Sequence, residues 1–80
     1  MKTKEIAAYV RNNVEDYEER LQLALKRMDR MREPLWMADA VLYNEIVDAI
    51  NDWSWDNEVN IEDWDIEDLI DGDNGIIWEE

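Results

Sequence analysis

The side chains that most enzymes use for nucleophilic catalysis are nearly all missing from this sequence. Its 80 residues include no cysteine and no histidine, and besides three tyrosines the only hydroxyl side chains are those of Thr3 and Ser54. A covalent mechanism needs a nucleophile beside a base and an orienting group. Two glycines are also too few for a glycine-rich phosphate-binding loop. The sequence therefore predicts a protein that is not an enzyme and that uses no cofactor.

The segment 71–75 comes closest to a metal site. Its residues, Asp-Gly-Asp-Asn-Gly, suggest a calcium-binding loop. In such a loop the sixth position must be glycine, but counting from Asp71 that position falls on Ile76. We interpret the segment as a surface turn with capping carboxylates, and predict no metal site.

Charge is distributed very unevenly along the chain. The net charge is −14, yet residues 1–34 carry +1, while residues 35–80 carry fifteen acids and no base. All five tryptophans also lie in the second part, so we expect that part to fold, because acidic disordered tails are usually poor in aromatics. Self-repulsion on this scale destabilises a small fold. Because this charge costs stability, we expect it to serve a function, and its natural partner is a basic protein surface.

Carboxylates on a helix can imitate a nucleic-acid backbone. At i, i+3 and i+4 they recur every ~5–6 Å, comparable with the ~3.4 Å rise per nucleotide of one DNA strand. We predict a partner-binding site made of two acidic stripes with Trp55 as an aromatic anchor. The stripes are Glu45, Asp48 and Asp52, and Glu62, Asp63, Asp65, Glu67 and Asp68. The expected partner is a protein with a basic nucleic-acid groove and not nucleic acid itself, which the net charge would repel.

Two long helices must position these residues. Residues 3–33 predict one helix, because apolar residues recur in steps of three and four with no glycine or proline between them. Pro34 disfavours helix at the preceding residue, so a second helix should run over residues 34–53. Its apolar arc covers roughly 200°, too wide for one neighbour. The apolar seam of the first helix consists of Ala7, Val10, Val14, Tyr17, Leu21, Ala24, Met28 and Met31.

The remaining residues predict shorter elements. Residues 54–60 are expected to form a loop, and residues 61–70 a short third helix, continuous or broken, with Asn60 and Asp65 as caps. Gly72 should end that helix. The apolar residues 76–78 are expected to pack back as a C-terminal clasp, whose conformation their length leaves open. The prediction is an all-α fold, a helical hairpin with a third helix and a clasp, in one domain over residues 1–80.

Self-association and location follow from the same patterns. The seam of the first helix is typical of a globular core or of an oligomer zipper, and we expect a monomer–dimer balance with the monomer slightly favoured. No apolar run reaches the ~20 residues of a membrane span, so a cytoplasmic location is expected. Four basic residues should complement the dipole at the C-terminal end of that helix and pair with the acidic half, namely Lys26, Arg27, Arg30 and Arg32.

In composition the chain resembles the small, acidic, tryptophan-rich anti-CRISPR and anti-restriction inhibitors that phages encode. The resemblance rests on the acids between Asp39 and Glu80, including the second stripe, and not on a motif, so no residue role is carried over. It implies an inhibitor, acting in the cytoplasm of a bacterial host, that fills the DNA or guide-RNA groove of a nuclease complex or blocks its assembly. Two alternatives stay open: an antitoxin-like or regulatory module that neutralises a basic protein, and a structural helical oligomer.

Overall fold

The computed structural model describes residues 3–62 and 64–79, and every regular element in them is helical. This confirms the all-α class. No helix in these residues is both long and apolar enough to cross a membrane. The elements are α1 (Thr3–Asn13), α2 (Tyr17–Met31), α3 (Leu35–Ala38), α4 (Ala40–Asp56), α5 (Ile66–Asp71) and a C-terminal 3-10 turn (Ile76–Trp78).

The first predicted helix is broken in two. Asp16 takes the left-handed conformation, with φ 54° and ψ 33°, and α2 starts directly after it. The prediction of one helix over residues 3–33 was therefore wrong at residues 14–16. Aspartate is one of the few residues that enter this conformation at low cost, and no glycine or proline marks the break. The bend lets α1 pack mainly on α4 while α2 packs mainly on α3.

The second predicted helix is also divided, at Asp39. The carboxylate of Asp39 accepts a hydrogen bond of 3.0 Å from the backbone N–H of Leu42, which makes it the N-cap of α4. Beyond this break, α4 continues to Asp56, three residues past the predicted end at residue 53. Asn57 ends the helix, because its side-chain amide donates to the carbonyl of Trp53 at 2.8 Å. Trp55 therefore lies in the last turn of a helix and not in a loop as predicted.

The third helix is shorter than predicted. It begins at Ile66, after Asp65, whose side chain accepts from the N–H of Asp68 at 3.1 Å. Of the predicted helix over residues 61–70, the described residues before Ile66 (61, 62, 64 and 65) are not helical, and Asn60 accepts from the N–H of Glu62 at 3.0 Å. Asparagine side chains compete in this way with helical hydrogen bonding.

One apolar core holds these elements together. The predicted seam lies in it as far as Ala24, whereas Met31 is 56% exposed. The indole of Trp53 packs on that of Trp64, with ring centroids 6.3 Å apart, and the C-terminal turn packs on α1 and α5. The largest side chains with almost no exposure are Ile6, Val10, Leu35, Leu42, Ile46, Ile50, Ile70 and Ile76.

Candidate partner-binding site

The exposed face of α4 carries acids and an aromatic side chain in one line. Asp48, Asp52 and Trp55 are spaced by four and three residues, so at about 100° per residue they project within roughly 60° of one another. All three are exposed, and Trp55, at 83%, is the most exposed large apolar side chain among the described residues. The extension of α4 to Asp56 produces this alignment. The structure therefore brings the predicted anchor onto the first acidic stripe.

The third member of that stripe, Glu45, is occupied within the molecule. Its carboxylate accepts a hydrogen bond from the guanidinium of Arg20 on α2, and both side chains are part-exposed. This hydrogen bond lowers the pKa of Glu45 below its ordinary value. Glu45 therefore ties α4 to α2, and the exposed acids of the stripe are Asp48 and Asp52.

A shallow groove beside Trp55 extends the site into the following loop. Glu62, from the second predicted stripe, lines it together with Trp55. Asp56, also exposed, follows Asp52 by four residues on α4. Asp56 is not among the predicted site residues because the predicted helix ends at residue 53, although the capping amide of Asn57 marks the true end. The other lining residues are Asn51, Ser54, Glu58, Val59, Asn60 and Ile61.

The acids of α5 lie on another side of the molecule. Glu67 accepts a hydrogen bond of 3.1 Å from the indole N–H of Trp36. Burial raises the pKa of Tyr43, and the nearby carboxylates of Glu67, Asp71 and Asp65 raise it further. Tyr43 and Asp52 are nine residues apart on α4 and so point in roughly opposite directions.

The first stripe, on α4, lies beside α1. Burial raises the pKa of Tyr9 on α1, and next in effect are the carboxylates of Asp52 and Asp56. The two predicted stripes therefore do not form one continuous surface. Of the other predicted residues, Asp65 and Asp68 line a second groove beside Trp64, and Asp63 lies outside the described residues.

Little of the charge is neutralised inside the molecule. In residues 3–62 and 64–79 the ion pairs are Arg11–Glu18, at 2.8 Å, and Arg20–Glu45. In those residues no member of the basic cluster pairs with the acidic half as predicted, and the cation that does so, Arg20, lies outside that cluster. The described part of the chain contains no cluster of carboxylates arranged to hold a metal ion. The α4 face can thus present carboxylates and an indole to a basic partner.

Comparisons with protein-family models, with curated proteins and with solved structures find no match to this chain.

Proposed function

We propose that this chain is an acidic binding protein without enzymatic activity, and that it inhibits a nucleic-acid-binding protein by occupying its basic groove. The observation that carries the proposal is the 83% exposure of Trp55 on the same helix face as Asp48 and Asp52. The composition of the chain resembles that of anti-CRISPR and anti-restriction inhibitors, so a bacterial nuclease or defence complex is the first target to test.

An exposed indole amid carboxylates suits a surface rich in arginine or lysine. A tryptophan buries 150–250 Å² at an interface, worth about 4–6 kcal/mol before the costs of association. A guanidinium can stack on the indole face while its charge pairs with Asp52 or Asp56. The partner expected for this face is therefore a groove whose arginines and lysines otherwise bind phosphates.

Because the two acidic stripes are separate, the partner groove should contact the α4 face directly but not the acids of α5. Direct contact is assigned to Asp48, Asp52, Trp55, Asp56 and Glu62, and the acids of α5 act through the long-range field that steers association. From Asp48 to Asp56 the helix rises about 12 Å. That length corresponds to about three to four nucleotides of one DNA strand, so the α4 face imitates a short stretch of backbone.

The test uses two variants with equal charge change. The chain is immobilised, a bacterial lysate is passed over it, and the retained protein is identified and purified. The first variant, D48N/D52N/D56N, neutralises the α4 face, and the control, E67Q/D68N/D73N, removes the same charge around α5. We expect the first variant to lose binding to the purified partner and inhibition of it, and the control to retain both with slower association.

Nucleic-acid competition completes the test. DNA or RNA that the partner binds should displace the chain. A ternary complex of chain, partner and nucleic acid would exclude groove occupation and favour the antitoxin-like or regulatory module. Equal loss of binding in both variants would show that net charge, and not the α4 face, determines binding.

A further inference from the structure

The outward face of α2 combines an exposed leucine with charges of both signs. This helix buries Tyr17, Leu21 and Ala24, and on the other side Leu23 is 63% exposed. Glu19 lies one turn before Leu23 and Arg27 one turn after it, so the three form one ridge along the helix. Further out, Asp16 and Arg30 are each seven residues from Leu23, and both are exposed. Acids thus precede Leu23, and bases follow it at equal spacings.

Within residues 3–62 and 64–79 these charges belong to no ion pair. In the described part of the chain neither Glu19 nor any residue of the basic cluster belongs to an ion pair, and Arg27 makes one weak hydrogen bond, 3.4 Å to the carbonyl of Ala38. Lys26 and Arg30 are four residues apart, where like charges repel. Although the net charge is −14, the described acids thus leave this group of cations out of ion pairs.

The apolar centre of this face extends onto α4. Among the described residues two side-chain hydrogen bonds join α2 to the second half of the chain, one from Arg20 to Glu45 on α4 and one from Arg27 to the carbonyl of Ala38 on α3. Leu23 lies between the first members of these pairs, and Val41, 65% exposed, lies between the second members. Leu23 follows Arg20 by three residues on α2, and Val41 precedes Glu45 by four residues on α4, so helical spacing places both side chains near the Arg20–Glu45 pair.

We propose that this face binds a second copy of the chain across a two-fold axis near Leu23, with the two α2 helices antiparallel. Glu19 of each copy then faces Arg27 of the other, and Asp16 faces Arg30, around a centre formed by Leu23 and Val41. A parallel arrangement would set like charges against each other. Opposite charges placed symmetrically about an apolar residue are what a self-complementary two-fold interface requires.

The interface is separate from the proposed partner-binding face. Trp55 lies 14 residues beyond Val41, which is about 21 Å further along α4. The dimer therefore leaves both copies of the Trp55 face free. The proposal does not depend on the proposed function.

Charge reversal on the full-length chain tests the arrangement by sedimentation equilibrium. The wild-type chain should dimerise reversibly. Glu19→Lys alone, or Arg27→Glu alone, sets like charges against each other twice per dimer, so each should raise the dissociation constant at least about tenfold. Glu62→Lys is the control for Glu19→Lys, because it makes the same charge change away from α2 and should leave the dimer intact. Circular dichroism should show unchanged helix content in every variant.

Mixing the two reversed chains gives the decisive result. In a heterodimer of the Glu19→Lys chain with the Arg27→Glu chain, both contacts again join opposite charges, so native mass spectrometry should show heterodimers where each chain alone is monomeric. The double variant E19K/R27E should also dimerise, and Leu23→Asp should not. A monomeric wild type overturns the proposal, as does a mixture that stays monomeric or a dimer that Glu62→Lys weakens as much as Glu19→Lys.

Discussion

The guanidinium of Arg20 on α2 donates a hydrogen bond to the carboxylate of Glu45 on α4. Within residues 3–62 and 64–79, this is the only ion pair between the nearly neutral first part of the chain and its acidic second part. It links α4 to α2, which packs mainly on α3. It also removes one carboxylate from the exposed stripe and leaves Asp48 and Asp52 to face outward.

The Arg20–Glu45 pair predicts a pH-dependent contribution to stability. The hydrogen bond lowers the pKa of folded Glu45 below the ordinary 4.5, so its contribution is present above pH 4.5 and is lost as the pH falls through the lowered pKa. Because the pair is part-exposed, Glu45→Gln should cost no more than about 1 kcal/mol at neutral pH. Urea titrations of both proteins should show this difference shrinking in acid. A difference that grows in acid would contradict the assignment.

Core and surface positions on α4 should respond very differently to truncation. Leu42 and Ile46 have no exposed surface, so Leu42→Ala or Ile46→Ala should lower the free energy of unfolding by roughly 2–4 kcal/mol. Val41 precedes Leu42 but is 65% exposed, and Val41→Ala should stay within about 0.5 kcal/mol of wild type. Thermal melts at a concentration where the chain is monomeric make the comparison. If Val41→Ala and Leu42→Ala lowered the free energy of unfolding by similar amounts, the assignment of buried and exposed faces on α4 would be wrong.

Burial of the Tyr17 phenol should make the fold less stable in alkali. Burial raises its pKa from 10.0 to about 12. Its contribution is therefore complete below pH 10 and is lost as the pH rises from 10 through 12, by up to about 3 kcal/mol. Tyr17→Phe should remove this loss, whereas Tyr9→Phe should retain it. Unfolding free energies measured from pH 9 to 12, with absorbance to follow tyrosine ionisation, make the test.

The left-handed conformation of Asp16 predicts an order of stabilities that a continuous helix would reverse. Glycine adopts positive φ without strain, and alanine does not, so Asp16→Gly should be at least as stable as wild type and Asp16→Ala less stable by about 1 kcal/mol. In an unbroken helix over residues 3–33, alanine would be the more stable of the two by about 1 kcal/mol. Chemical denaturation of both variants gives the order.

This position also shows how far the sequence predicts the fold. Apolar spacing identifies the helical class and most of the core, since residues from Ala7 to Ala24 keep one face toward it. The breaks at Asp16 and Asp39 leave that spacing unchanged, so the spacing does not reveal them. Each break depends on a single aspartate, and the preference of an aspartate for turns or caps is weak in isolation. The first stripe was predicted from helical spacing. Its alignment with Trp55 depends on the true end of α4, and the position of α5 depends on tertiary contacts such as that between Trp36 and Glu67.

Trp55 and its neighbouring acids should contribute to different steps of partner binding. Salt screens exposed charges over about 8–10 Å, so association with the captured partner should slow steeply as salt rises. Trp55→Ala should act mainly on dissociation, because a buried aromatic anchor contributes short-range contact. Loss of a tryptophan hot spot costs 2 kcal/mol or more, so the dissociation rate should increase by about 30-fold. Trp78→Ala is the matched control, because Trp78 is 50% exposed on the C-terminal turn. Surface plasmon resonance measures both rates. If Trp78→Ala speeds dissociation as much as Trp55→Ala, the anchor is not on α4, and the partner must contact a different surface of the chain.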